Sequence, residues 1–242
     1  MQRFDRRRLL ARAAAAASLA ACGRGLGLGS GDRAAAQSAF DFVAGTPGCG
    51  WVALLFNVGA SYEPATGILD TLGAYGVPGT FFVMGWLAEQ NPSLPQTIAA
   101  WGQPIGSHGY LPPELTARSD DDVIWDLNTA SGALEAALGY NPGPWFTPFA
   151  GASDERVRSL ASSQGLITVG WGVDSEDWNP AATADGIYSR VVSGIYDGAI
   201  VELHMDAQRS IGGTAVALPW ILDDLLAQGF RLVSVPEMIS EC

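Results

Sequence analysis

From Trp51 to the C-terminus, short apolar runs alternate with longer amphipathic ones, and that alternation restricts the chain to an α/β architecture. The apolar runs lie at 51–57, 80–84, 104–107, 145–148, 166–171, 199–204 and 231–235. They are short and apolar, as strands are. Helical patterns fill the gaps at 64–75, 121–138, 154–163, 184–196 and 214–228. Asp154 and Thr214 stand where N-caps belong, and Gly76 and Gly229 stand where a left-handed residue ends a helix. Asp120, Asp121 and Asp122 form a charged helix start that suits the helix dipole. No internal repeat is visible, so the pattern predicts one domain. Periodicity alone does not choose between an open sheet and a barrel.

The N-terminus reads differently. Arg6-Arg7-Arg8-Leu9-Leu10 resembles a twin-arginine export signal, and an apolar run too short to span a bilayer follows. Leu19-Ala20-Ala21-Cys22 resembles a bacterial lipobox, with Cys22 as the lipidated residue. The alternative is an ordinary signal peptide with an incidental cysteine. Residues 1–22 are thus read as a lipoprotein signal of the twin-arginine type, 23–37 as a flexible glycine-rich tether and 38–242 as the folded domain. The chain is expected to be exported and membrane-anchored, in the cell envelope or periplasm, touching the membrane only through the lipid. Cys49 and Cys242 then remain in the domain, and an oxidising compartment favours a disulfide between them over two free thiols. The chain has no lysine and a net charge of −12. Such a surface repels nucleic acid and anionic lipid headgroups.

Chemistry-bearing residues cluster at the ends of the apolar runs. They are Phe56-Asn57-Val58-Gly59, Ser107-His108-Gly109-Tyr110-Leu111-Pro112, Trp145-Phe146-Thr147-Pro148-Phe149, Gly172-Val173-Asp174 through Asp177-Trp178, and Leu203-His204. In this order they resemble the motifs of the NodB-homology polysaccharide deacetylases, carbohydrate esterase family 4. The landmark stretches 68–76, 80–85 and 218–231 carry the likeness over nearly the whole domain. The resemblance implies a single-domain, irregular (β/α)7-type TIM-like barrel, with its site at the C-terminal ends of the strands. It also implies an N-acetylated glycan, such as peptidoglycan, as partner.

The resemblance also shows what is missing. The family's first motif ends in a general base and a metal ligand, and here those positions hold Asn57 and Val58. Asn57 cannot take a proton from water, and Val58 has no lone pair. The second motif supplies two histidines, but only His108 is present, with Pro112 in place of the other. Phe146 stands at the arginine of the third motif. The acid side is intact, with Asp174, Asp177 and His204 in the catalytic positions. Trp178, Leu203, Phe149 and Tyr110 are assigned to the substrate wall. Catalytic zinc usually needs three protein ligands, so no cofactor is expected at His108. Zinc or another divalent metal would need a rebuilt site in which Glu63, Glu114, Asp174, Asp177, Glu202 or Asp206 joins His108. Glu202 is two residues before His204 and therefore shares its side of the strand. His108, His204 or Arg231 could pair with it.

Three readings follow. The chain is a glycan-binding lipoprotein that has lost metal-dependent hydrolysis, an active deacetylase with a remodelled metal site, or a non-catalytic scaffold. Glycan affinity separates the first from the third, and acetate release separates the first from the second.

Overall fold

The computed structural model describes residues 40–241, so the signal, the tether, Cys22 and Cys242 lie outside the described residues. Cys49 is disulfide-bonded.

The centre of the fold is β1 (Trp51–Val58), whose residues are buried from Val52 onward. On one edge its first half pairs with β8 (Arg231–Val233) and its second half with β2 (Thr80–Val83). On the other edge it pairs with β7 (Ile200–His204). Outward from β2 follow β3 (Ile105–Ser107), β4 (Trp145–Phe146) and β5 (Ile167–Thr168), and beyond β7 lies β6 (Val173–Asp174). Every named pair is parallel. The sheet curls into a half-barrel. The segment before β1 reaches both of its flanks, since Phe42 bridges Val169 and Ala44 bridges Ala199.

The helices are α1 (Gly67–Tyr75), α2 (Gly85–Gln90), α3 (Ser93–Ala100), α4 (Asp120–Leu138), α5 (Glu155–Ser163), α6 (Ala184–Gly194), α7 (Ala215–Ala227) and α8 (Val235–Glu241). Strand alternation sorts two cores. Val52, Leu54, Phe56 and Val58 face the helices together with Val201, Leu203, Leu218 and Leu222. Ala53 and Leu55 face inward with Phe82, Val169, Ile200 and Val233. Register then stacks the interior in layers: Ala53 beside Ile200, Leu55 beside Glu202, and Asn57 beside His204. A polar layer therefore sits on an apolar plug.

Most expected elements are present, with shifted ends. Three helices, α2, α3 and α8, and the two-residue β6 add to the expectation. All four are short, and their periodicity is too brief to register. Asp154 caps α5 by accepting from Val157 N–H at 2.7 Å, and Gly76 ends α1 at φ 64°. Thr214 does not cap α7; its hydroxyl donates instead to Asp177, at 2.6 Å.

Phe56 stacks on Phe81 with ring centroids 4.8 Å apart, and both are fully buried. Phe56→Ala is expected to lower unfolding free energy by about 3–5 kcal/mol in a urea titration. A loss below about 1 kcal/mol would mean that this layer collapses onto the gap.

Candidate functional site

The site is assembled at the C-terminal ends of β1, β3, β4 and β7. Its centre is His204, the last residue of β7. His204 Nδ1 donates to Asp177 Oδ1 at 2.7 Å, and the His204 backbone N–H donates to Asp177 Oδ2 at 2.8 Å. With the Thr214 hydroxyl also on Oδ2, the fully buried Asp177 carboxylate is saturated. It joins the loop after β6, the end of β7 and the start of α7.

The other imidazole nitrogen, Nε2, lies 3.3 Å from Glu202 Oε1. The same oxygen accepts from Asn57 Nδ2 at 2.9 Å. Glu202 is 2% exposed and forms a bridge between β1 and β7. Burial pushes its carboxyl up to about 8, only partly opposed by His204. Burial pulls His204 down, but the Glu202 and Asp177 carboxylates outweigh it and hold the imidazole at about 10. The arrangement retains a proton on the Glu202–His204 pair.

His108 follows β3 and is buried. Its Nδ1–H donates to the Thr147 carbonyl at 2.9 Å, which fixes the tautomer and leaves Nε2 as the lone-pair nitrogen. Burial draws its pKa down to about 4, so the ring is neutral at pH 7. The Phe149 ring is tilted beside it, with centroids 6.2 Å apart. Trp178 stands 40% exposed on the loop after β6.

Several assignments need correction. Leu203 does not line the site, because alternation turns it into the helix-side core, and Glu202 occupies the inward position instead. Phe146 likewise packs outward with Val123, Leu127 and Val157. Its neighbour Thr147 faces the other way, and the Thr147 Oγ1 is buried without a partner. Asp174 is exposed and accepts from Glu176 N–H rather than from His204. Tyr110 donates its hydroxyl to Glu89 and packs edge-on against Trp125, so it is tied to α2 and α4. Among the rebuilding candidates, Asp206 is consumed by the backbone N–H groups of Gly59, Ala60 and Ser61, and Glu63 faces solvent. Arg231 pairs with Glu237, not Glu202. Sequence reading missed Asp126, a buried carboxylate that holds Tyr110 and Leu111 through their N–H groups and pairs with Arg118. It also read Thr214 only as a helix cap and not as a partner of Asp177. Neither belongs to a motif, and only their burial marks them.

Comparison with known proteins places this geometry. The polysaccharide deacetylase family profile matches residues 44–169, just over half of the chain. The chain belongs to the polysaccharide deacetylase family. It is 35% identical over 190 residues to a peptidoglycan-N-acetylglucosamine deacetylase of Listeria monocytogenes, covering 78% of this chain and 39% of that protein. A Bacillus cereus peptidoglycan-N-acetylglucosamine deacetylase is 32% identical, covering 77% of this chain and 67% of its own length. A solved structure of a CE4 family pseudoenzyme from Bacillus anthracis aligns with TM-score 0.76 at 28% identity, over 82% of this chain and 68% of that one. The chain thus spans about two fifths of the Listeria relative.

The metal position implied by the family motifs does not fit these residues. Val58 is fully buried in the helix-side core, Pro112 offers no donor, and His108 is left alone. In this deacetylase-family chain no chemical step can be routed through an ion there.

Two outcomes follow. Asn57→Asp would set a second carboxylate against Glu202, and is expected to cost roughly 1–3 kcal/mol at pH 8. Glu202→Leu in the same chain should recover most of that cost; equal costs in both backgrounds would sever the link between the two positions. The second concerns pH. Glu202 and His204 both have folded pKa values above their ordinary 4.5 and 6.5. This pair therefore holds more protons folded than unfolded and its contribution to stability falls as pH rises, while the lowered His108 acts in the opposite sense below about pH 6.5. The window runs from about pH 4.5 to about pH 10. Thermal melts of metal-free protein should decline between pH 6 and pH 9.5, and Glu202→Gln should flatten that decline.

Proposed function

We propose that this chain is an exported, lipid-anchored protein of the polysaccharide deacetylase family that binds N-acetylated cell-wall glycan and is impaired in hydrolysis. The observation that carries the proposal is the state of Asn57. The position the resemblance gives to the general base holds an amide that donates to Glu202, so it cannot accept a proton from water. The metal ligands implied beside it are absent as well. Without an activated water, a lone general acid supplies only about 10²–10⁴-fold.

A binding role draws on what is retained. Trp178 is exposed, and Phe149 is half-buried beside His108. Aromatic faces at such a position suit sugar rings. The relatives that are peptidoglycan deacetylases support a glycan of that class. The pseudoenzyme neighbour supports loss of chemistry on a conserved fold, and a mutant of that protein has restored enzymatic activity. Export draws on Arg6-Arg7-Arg8 and Cys22, and a disulfide at Cys49 agrees with an oxidising compartment. The acidic surface makes nucleic acid an unsuitable partner. A second reading, residual hydrolysis, draws on the intact Asp177–His204 pair, which retains a proton-donating imidazolium.

The test is acetate release from peptidoglycan, measured beside sedimentation of the protein with the same glycan. Binding without acetate release is expected. Trp178→Ala should weaken binding roughly two- to tenfold, the worth of one aromatic stacking contact. Rapid acetate release would overturn the proposal, and absence of glycan binding would favour the scaffold reading.

A further inference from the structure

Among the described residues, three buried side-chain polar atoms have no partner: Asn57 Oδ1, Glu202 Oε2 and Thr147 Oγ1. All three lie at the C-terminal ends of β1, β7 and β4. Buried polar atoms are nearly always satisfied, and an exception asks for an occupant. Two of them belong to Asn57 and Glu202, which touch each other, and Glu202 also touches His204.

The contacts separate ligands from supports. Asp177 spends both oxygens on His204 Nδ1, His204 N and Thr214, so it orients the imidazole rather than offering a free oxygen. A carboxylate on one imidazole nitrogen is the usual outer support of a metal-bound histidine. His204 Nε2 is thereby directed at Glu202, but the separation of 3.3 Å exceeds the roughly 2.7–2.9 Å of a charge-assisted hydrogen bond. It does suit two ligands of one ion. Zinc–nitrogen and zinc–oxygen bonds of about 2.0–2.2 Å put tetrahedral ligand atoms about 3.4 Å apart.

Charge points the same way. Asp177 and Glu202 are buried acids, and with both ionised they would outnumber the single positive charge that His204 can supply. A divalent ion beside a neutral imidazole balances the pair. Glu202 and His204 each place a ligand atom within 4.8 Å of the other and of the supporting Asp177 carboxylate. The His204 side chain is 15% exposed, which gives access from solvent.

We propose that His204 Nε2, the Glu202 carboxylate and Asn57 Oδ1 hold one divalent transition-metal ion, of zinc type, on the β1–β7 side of the site, with Asp177 as the outer support. This is not the position the family motifs imply, since His108, Val58 and Pro112 take no part. The ion would occupy the place of the proton that Glu202 and His204 otherwise share. Three protein ligands leave one coordination position, which suits a hydroxyl of the bound sugar.

The chain contains two histidines, so their ring signals report directly where an ion goes. Metal-free protein would be titrated with zinc and followed by the ¹⁵N shifts of both imidazoles, with ion content counted after desalting. One retained ion per chain and a shift confined to His204 are expected. Glu202→Gln should weaken zinc at least about tenfold, Asp177→Asn about 10–100-fold, and His108→Ala not at all. No retained ion in the wild-type chain, or a shift at His108, overturns the proposal without reliance on any variant folding. Acetate release and glycan sedimentation read the earlier proposal separately, so either can fail alone.

Discussion

The carboxylate of Asp177 is the point on which the site depends. It fixes His204 through both its ring and its backbone N–H, and it draws the Thr214 hydroxyl away from capping α7. Three segments distant in sequence therefore share one buried negative charge. Such a charge is tolerable only because every lone pair that matters is occupied and an imidazole stands against it. His204 then directs its remaining nitrogen at Glu202, and Glu202 in turn holds Asn57. The polar layer at the end of the barrel is one connected chain from the loop after β6 to the centre of the sheet.

Asn57 and Glu202 make physical sense as a pair. An acidic residue at both positions would bury two carboxylates a hydrogen bond apart. One amide and one carboxylate can meet, and they do, at 2.9 Å. The acidic group of the site thus sits on β7 rather than at the end of β1. His108, across the sheet, keeps an ordered tautomer through the Thr147 carbonyl but has neither base nor co-ligand beside it. The site retains the Asp177–His204 pair and an aromatic rim, while Asn57, Val58 and Pro112 stand at the motif positions of the base and two metal ligands.

The loops around the site are held by the same device. Asp206 gathers the N–H groups of Gly59, Ala60 and Ser61, and Asp126 gathers those of Tyr110 and Leu111 while Arg118 neutralises it. Each buried carboxylate replaces water for backbone donors that a loop leaves unpaired. These acids have no catalytic reading. Their value is that the strand ends project from fixed loops, so that His108 and His204 are positioned by the scaffold.

The sequence by itself determined the alternating plan, the Asp154 cap, and the motif order that identifies the family. Those signals are local: a run of apolar residues or a capping side chain acts within a few positions. It also determined which ligands are missing, because Val58 and Pro112 lack donors in any fold. Only the tertiary structure decided which neighbours face each other. The two-residue spacing put Glu202 on the side of His204, but only strand register turned that side toward the interior, sent Phe146 outward, and set Asn57 beside His204. The parity of a two-residue repeat flips with a one-residue shift, and nothing local reports it. Contacts that span about 145 residues, such as Asn57 with Glu202, exist only once the sheet has closed around them.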